Sequence, residues 1–246
     1  MVGGAALACQ SSFGQASENE LYMGFQNQAG SGASDYIINL GSASSFVGQS
    51  SVINLSSDFS LSDFDAVLGG STFMYGGVIG ADNGEGGVYP NIYVTQLRSG
   101  GPGDSSVAGS IVTQQDGQVA EDTTFSDLGN LYSPAAGTGG LDASKSWESL
   151  VDPANDTGSF QSNTGLNPDS QIGTSSVLYE DLWENSDSSS RGTTGFTYLG
   201  YFTMDFTGSS PDVTFTPVPE PTAYSIFAGA GLLLLALRRR MAGRNS

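Results

Sequence analysis

Apolar residues return at every second position in a series of short runs, which is the period of half-buried strands. In Glu20–Asn27, Leu21, Met23 and Phe25 share one side, and after Asp35 so do Tyr36, Ile38 and Leu40. Val52–Leu55, Thr72–Ile79 and Asn91–Arg98 read as further strands, and Val177 with Tyr179 opens a segment that fits a strand or a helical turn. The longest alternation is Phe196–Phe206. Phe196, Tyr198, Phe202, Met204 and Phe206 fall on one side with Gly200 as a gap, and Thr197, Leu199, Tyr201, Thr203 and Asp205 face the other way. After a turn at Thr207–Pro211, Val213 and Phe215 restart the period. One helix is expected. Ser62 would cap Asp63–Leu68, Asp65 stands at the capping-box position, Gly69 would end it, and Leu61, Phe64 and Leu68 form its apolar stripe.

Polar breaks rich in Gly, Ser, Asn and Asp separate these runs, notably Gly100–Ser110, Asn155–Asp169 and Asp187–Gly195. Roughly eight to ten short strands with such turns predict a mainly β protein, an antiparallel β-sandwich or jelly-roll-like body over residues 17–216. Aromatic residues make up 10% of the chain, more than a disordered chain usually carries. No internal repeat is present.

Charge divides the chain in two. Residues 17–221 hold three basic residues (Arg98, Lys145, Arg191) against all 25 acidic ones, a net −22, whereas residues 222–246 hold four arginines and no acid. The sequence pI of about 4.1 excludes a nucleic-acid partner, which needs basic patches to neutralise phosphates. There is no His, so no Ser–His–Asp triad, Cys–His pair or imidazole metal site can form. The single Cys makes no internal disulfide and no thiolate cluster. No cofactor or metal site is expected.

The C-terminal end reads as a tail distinct from the body. From Ala223 to Leu237 no residue is charged, Leu232–Leu235 is a pure leucine run, and Arg238, Arg239 and Arg240 follow. This stretch is apolar all round and predicts a single transmembrane helix over 223–237. Fifteen helical residues rise about 22 Å, short of a hydrocarbon core of about 30 Å. The arginines form a stop-transfer cluster, which the positive-inside rule places in the cytoplasm with the body across the membrane.

Val218-Pro219-Glu220-Pro221, then an apolar stretch, then Arg238-Arg239-Arg240 near the terminus, resembles the PEP-CTERM sorting signal of exported bacterial proteins. The likeness covers about residues 217–246. It implies exosortase, a membrane-bound transpeptidase-like enzyme, as partner, and transient residence in the inner membrane. The end point is the cell surface or the extracellular matrix, with extracellular polysaccharide a further candidate partner. More loosely, Glu20–Phe25 and Leu199-Gly200-Tyr201-Phe202 resemble small extracellular domains that precede this tail in other bacteria.

An exported chain needs an N-terminal signal. Residues 1–16 supply an apolar stretch, Val2–Cys9, with Gly14 and Ala16 at the −3 and −1 positions of a cleavage site before Ser17. They lack a basic n-region, so the expectation is a truncated signal peptide whose true start lies upstream. Cys9 also fits a lipoprotein cysteine, though a second anchor would duplicate the tail.

Few residues suggest chemistry in the body. Gly103-Asp104-Ser105 echoes a serine-protease segment but has no His to serve it. Asp82–Gly87 has oxygen ligands without EF-hand spacing. Asn54 and Asn155 begin N-glycosylation patterns. Glu180, Asp181 and Glu184 could supply the two carboxylates of a glycosidase, and Trp147, Trp183 and the tyrosines a carbohydrate-stacking platform. The expected function is that of a non-enzymatic, exported surface or matrix protein sorted through its tail. A carbohydrate-binding module for the cell's own exopolysaccharide is the alternative, and a polysaccharide-processing enzyme using a carboxylate pair the third.

Overall fold

The computed structural model describes residues 14–15, 19–27, 34–68, 73–81, 91–98, 128–151, 168, 170–173, 176–187 and 194–218. Its strands are β1 (Gly14–Gln15), β2 (Glu20–Gln26), β3 (Asp35–Ser42), β4 (Ile53–Asn54), β5 (Phe73–Ala81), β6 (Ile92–Leu97), β7 (Tyr132–Ser133), β8 (Thr138–Asp142), β9 (Ser170–Gly173), β10 (Val177–Asp187), β11 (Thr194–Asp205) and β12 (Asp212–Pro217). Two α-helices are described, α1 (Leu61–Leu68) and α2 (Ser146–Val151). Short 3-10 turns lie at Ala43–Ser45 and Ser56–Asp58.

Ten strands form one antiparallel sheet in the order β4-β12-β11-β10-β6-β5-β2-β3-β8, with β9 paired to β5. The sheet is open and curled into a half-barrel. This corrects the expected sandwich or jelly roll, because among the described residues no second sheet packs on the first; the only other pairing there is the two-residue ribbon of β1 and β7. The curl is visible in one distance. Phe25 on β2 and Phe206 just past β11 are four strand positions apart, about 19 Å in a flat sheet. Their ring centroids lie 5.8 Å apart.

The strand periods explain this architecture. The inner face of the curl gathers Leu21, Met23, Phe25, Ile38, Phe202, Met204, Val213 and Phe215, the residues whose alternation marks the strands in the sequence. Phe46, Leu55, Phe64 and Val67, from the turns and α1, close over them. Phe64 lies edge-on to Phe25 at 5.4 Å and stacks on Phe206 at 4.8 Å, contacts that add about 0.5–1.5 kcal/mol each beyond burial. The central strands also bury their second face. Tyr22, Ile37, Ile79 and Val94 pack with Leu128, Leu131 and the α2 residues Trp147, Leu150 and Val151. In a sandwich a strand buries one side only; here β2 and β3 are covered on both, by helix and turns, so a second sheet has no place.

Helix α1 starts two residues earlier than the Ser62 cap predicts. The Ser60 carbonyl accepts from the N–H groups of Asp63 and Phe64, and the Ser60 N–H donates to the Tyr36 hydroxyl at 2.6 Å. Of the expected stripe, Phe64 is buried but Leu61 is 41% exposed, and Val67 takes the inward position. Gly69 lies outside the described residues.

Helix α2, which the sequence pattern does not announce, is held by two aspartates at its start. Asp142 accepts from the N–H groups of Ser144 (2.9 Å) and Ser146 (2.6 Å). Asp35, its cross-strand neighbour, accepts from the Glu148 N–H at 2.8 Å. Burial pushes the Asp35 carboxyl up to about 7, with the Glu148 and Asp142 charges adding and the Glu148 N–H and Lys145 opposing. For Asp142 burial also raises the pKa, but the hydrogen bonds from Ser144 and Ser146 together outweigh it and leave the pKa lowered. The helix lays Trp147, fully buried, onto Gly24, where any Cβ would overlap the indole ring.

No helix among the described residues is long and apolar enough to cross a membrane, so the single C-terminal transmembrane helix expected with the fold is not part of the observed architecture. Its range, 223–237, lies outside the described residues. β12 runs through Thr216 and Pro217, and the Val218 N–H donates to the Leu199 carbonyl at 3.0 Å. The folded body, expected over residues 17–216, therefore holds its backbone through Pro217 by antiparallel pairing with β11 and one bond further at Val218.

Candidate functional site

The richest side-chain cluster outside the core sits on the outer face, where β6, β10 and β11 run side by side. Arg98 follows β6 and reaches across β10. Its Nε donates to Asp181 Oδ1 at 3.1 Å, and a terminal nitrogen approaches the Tyr198 hydroxyl at 3.4 Å. Tyr198 donates to the same Asp181 oxygen at 3.1 Å. Burial first, and the Asp181 charge second, push the Tyr198 hydroxyl up to about 12, so it stays a neutral donor. The guanidinium carbon lies 3.8 Å from the Tyr201 ring centroid and 5.5 Å from that of Tyr179, a cation–π arrangement that holds the charge flat against the sheet. Gln96 stands directly opposite Asp181, and Trp183 packs against Tyr198 with centroids 5.1 Å apart. Among the described residues neither Gln96 Oε1 nor Trp183 Nε1 has a hydrogen-bond partner, at a cost of about 1–3 kcal/mol each.

A bulge in β11 builds this cluster. Leu182 pairs with Gly200 and Trp183 with Tyr198, so Leu199 is an extra residue. One extra residue reverses the phase of a strand. Leu199 turns to the inner core and Tyr198 to the outer face, the opposite of what an unbroken alternation predicts. Gly200 makes the bulge possible at φ +150°, where a Cβ would strike the Thr216 carbonyl and the Phe215 ring. Phe196 is placed by its backbone alone.

Beyond the cluster the same outer face continues over β11, β12 and β4 in transverse rows. Asp181, Tyr201 and Thr216 form one. Tyr179, Thr203, Thr214 and Asn54 form the next. Val177, Asp205 and Asp212 form the last. Tyr179 is 42% exposed, Asn54 is exposed, and the threonines of the middle row are half-buried.

The acids proposed for glycoside hydrolysis do not converge. β10 alternates regularly against β6, so Glu180 and Glu184 point inward and Asp181 outward. Glu180 is fully buried, and Glu184 accepts from Asn91 at 3.1 Å and Tyr93 at 3.3 Å. Their Cα atoms are about 13 Å apart along the strand, with Leu182 between them in the core. Glycosidase carboxyl pairs stand about 5–9.5 Å apart. Of the two tryptophans, Trp147 lies on the inner side of α2, and neither it nor Trp183 presents a ring to solvent; among the described residues the exposed rings are Tyr179 and Phe73. Among the described residues no three acids come together as metal ligands.

Of the tail residues, Val218 is described and closes the last backbone bond after β12. Pro219, Glu220, Pro221, Arg238, Arg239 and Arg240 lie outside the described residues, as do Cys9, Asp82–Gly87, Gly103–Ser105 and Asn155. In the expected signal segment, Gly14 and Gln15 pair with Ser133 and Tyr132.

Fold and site together define a β protein built on one main curled sheet, with an aromatic core inside the curl and a tyrosine-and-threonine face outside. No protein-family model, curated protein or solved structure matches the chain.

Proposed function

We propose that this is a non-enzymatic protein exported from a bacterial cell, sorted through its C-terminal tail by exosortase, and resident at the cell surface or in the extracellular matrix. The observation that carries the reading is the tripartite order of Val218-Pro219-Glu220-Pro221, an uncharged apolar stretch and Arg238-Arg239-Arg240. Two features support it. The sheet ends at Pro217, so the motif begins one residue after the folded body, where Pro219 and Pro221 oppose regular structure and favour an extended, accessible strand. The chain has no His, and Glu180 and Glu184 do not converge as a glycosidase pair needs, which removes the support for two catalytic alternatives. In this reading the tail brings the chain to the inner membrane, exosortase cuts at or near Pro219–Pro221, and the body goes on alone.

C-terminal peptide mapping of surface material tests this. The mature form is expected to lack Arg238–Ser246, and replacing Pro219 and Glu220 by Ala is expected to hold full-length chain in the inner-membrane fraction. Intact Arg238–Ser246 in the surface form of the unmodified protein would overturn the proposal.

A further inference from the structure

We propose that the outer face of β10, β11, β12 and β4 is a binding site for a neutral polysaccharide chain, with Tyr179 as the stacking ring and the threonine rows as the hydrogen-bonding floor. The inference does not depend on the tail and stands or falls separately from export.

The face is left open by the same packing that covers the rest. α2 and the Leu128–Leu131 segment sit over β2, β3, β5 and β6, while Tyr179, Thr203, Thr214 and Asn54 remain exposed or half-buried. Their opposite sides are Phe202, Met204, Val213 and Phe215, fully buried, so the strands are anchored from within and the outer side chains are held in place. β-branched threonines have few rotamers, and a pre-set array loses little entropy on binding.

The chemistry of the array selects the ligand. A protein interface is built on a central apolar cluster; here Tyr179 in the middle row and Val177 at the end of the last are the exposed apolar groups, set among hydroxyls, an amide and carboxylates. Nucleic acids and acidic polysaccharides need uncompensated cations. The only cation on the face among the described residues, Arg98, is paired with Asp181 at 3.1 Å, and Asp205 and Asp212 close one end of the rows. Sugar units fit what remains. Their C–H faces stack on an aromatic ring, and their hydroxyls both donate and accept, as threonine does. The middle row crosses four strands at about 4.8 Å per step, close to the length of one sugar unit, so successive units can meet successive side chains.

Native affinity electrophoresis of the full chain tests the assignment, since its net charge of −18 gives strong mobility. Gels would contain hydroxyethylcellulose, galactomannan or dextran, with alginate as the acidic comparison. Retardation in at least one neutral gel and none in alginate is expected. Tyr179→Ala should weaken that binding about tenfold, Thr203→Val should weaken it measurably with little risk to folding, and Leu141→Ser on β8 should leave it unchanged. Free mobility in all three neutral gels would overturn the proposal. So would retardation by alginate alone, or retention that both Tyr179→Ala and Thr203→Val leave intact.

Discussion

Asp35 gives the structure a measurable pH signature. Its carboxyl is 1% exposed, faces Asp142 across the β3–β8 pair, and accepts from the Glu148 N–H at the start of α2. The folded protein moves its pKa from 3.8 to about 7, chiefly by burial. A carboxyl with a raised pKa binds its proton more tightly when folded. Its contribution to stability is complete below pH 3.8 and is lost as pH rises through about 7. A shift of this size corresponds to about 4 kcal/mol in total. Close to the pI of about 4.1 the chain loses the net charge that keeps it apart, so the practical window is pH 5 to 8, which holds about 2.5 kcal/mol of the effect. Asp35→Asn keeps the shape and an acceptor for Glu148 but removes the titration. The variant should gain on the parent steadily across this window, by about 2.5 kcal/mol at pH 8 relative to pH 5. Asp142 does not confuse the comparison. Its pKa is lowered on balance, hydrogen bonds from Ser144 and Ser146 outweighing burial, so its contribution is present above pH 3.8 and is lost only as pH falls below that. Urea unfolding followed by tryptophan fluorescence is the assay, because Trp147 sits on the helix that Asp35 holds. A difference between parent and variant that stays constant from pH 5 to 8 would refute the reasoning.

Two other substitutions probe the packing. Gly24→Ala puts a methyl group into the space of the Trp147 ring, and should cost about 3 kcal/mol of stability with exposure of the tryptophan; an unchanged urea midpoint would contradict the placement of α2. Arg98→Ala removes the counter-charge of Asp181, which is 2% exposed, and should cost about 3 kcal/mol. The double change Arg98→Ala with Asp181→Asn should recover most of that loss, and a double variant no more stable than the single one would show that the ion pair is not what Arg98 contributes.

Much of the inner core was legible as alternation. Phe202, Met204 and Phe206, like Leu21, Met23 and Phe25, point where a period of two places them, because they have a dry side and a wetter one. The period hides what happens on the second side of β2 and β3. Tyr22 and Ile37 fall at positions that read as outward, yet a helix from residues 146–151 covers them, and nothing local to Tyr22 announces that. The helix is as obscure from its own sequence, being six residues long and held by Asp35, 113 positions away from the Glu148 N–H it accepts. β7, β8 and β9 escaped for a different reason. They are two to five residues long, and Thr138-Gly-Gly-Leu-Asp142 has almost no side-chain signature, pairing through its backbone alone. The expected sandwich followed from counting strands, whereas the choice between two sheets and one curled sheet lies in which strands are buried twice.

The outer face shows the same logic from the opposite direction. Where no helix covers the sheet, β11 and β12 revert to strict alternation, with Phe202, Met204, Val213 and Phe215 inward and Tyr201, Thr203, Thr214 and Thr216 outward. Each strand taken alone reads as an ordinary half-buried strand. The rows become visible only through the order β4-β12-β11-β10, which sets Asn54 beside Thr214 and Tyr179 beside Thr203, contacts between segments more than a hundred residues apart in one case. The bulge at Leu199 then marks the boundary. On one side of it the outward residues are the hydroxyls of the open rows; on the other, the reversed phase delivers Tyr198 to Asp181 and Arg98. Gly200, a gap when read for hydrophobicity, is the residue on which that division turns, because its φ of +150° and the close Thr216 carbonyl exclude any side chain there.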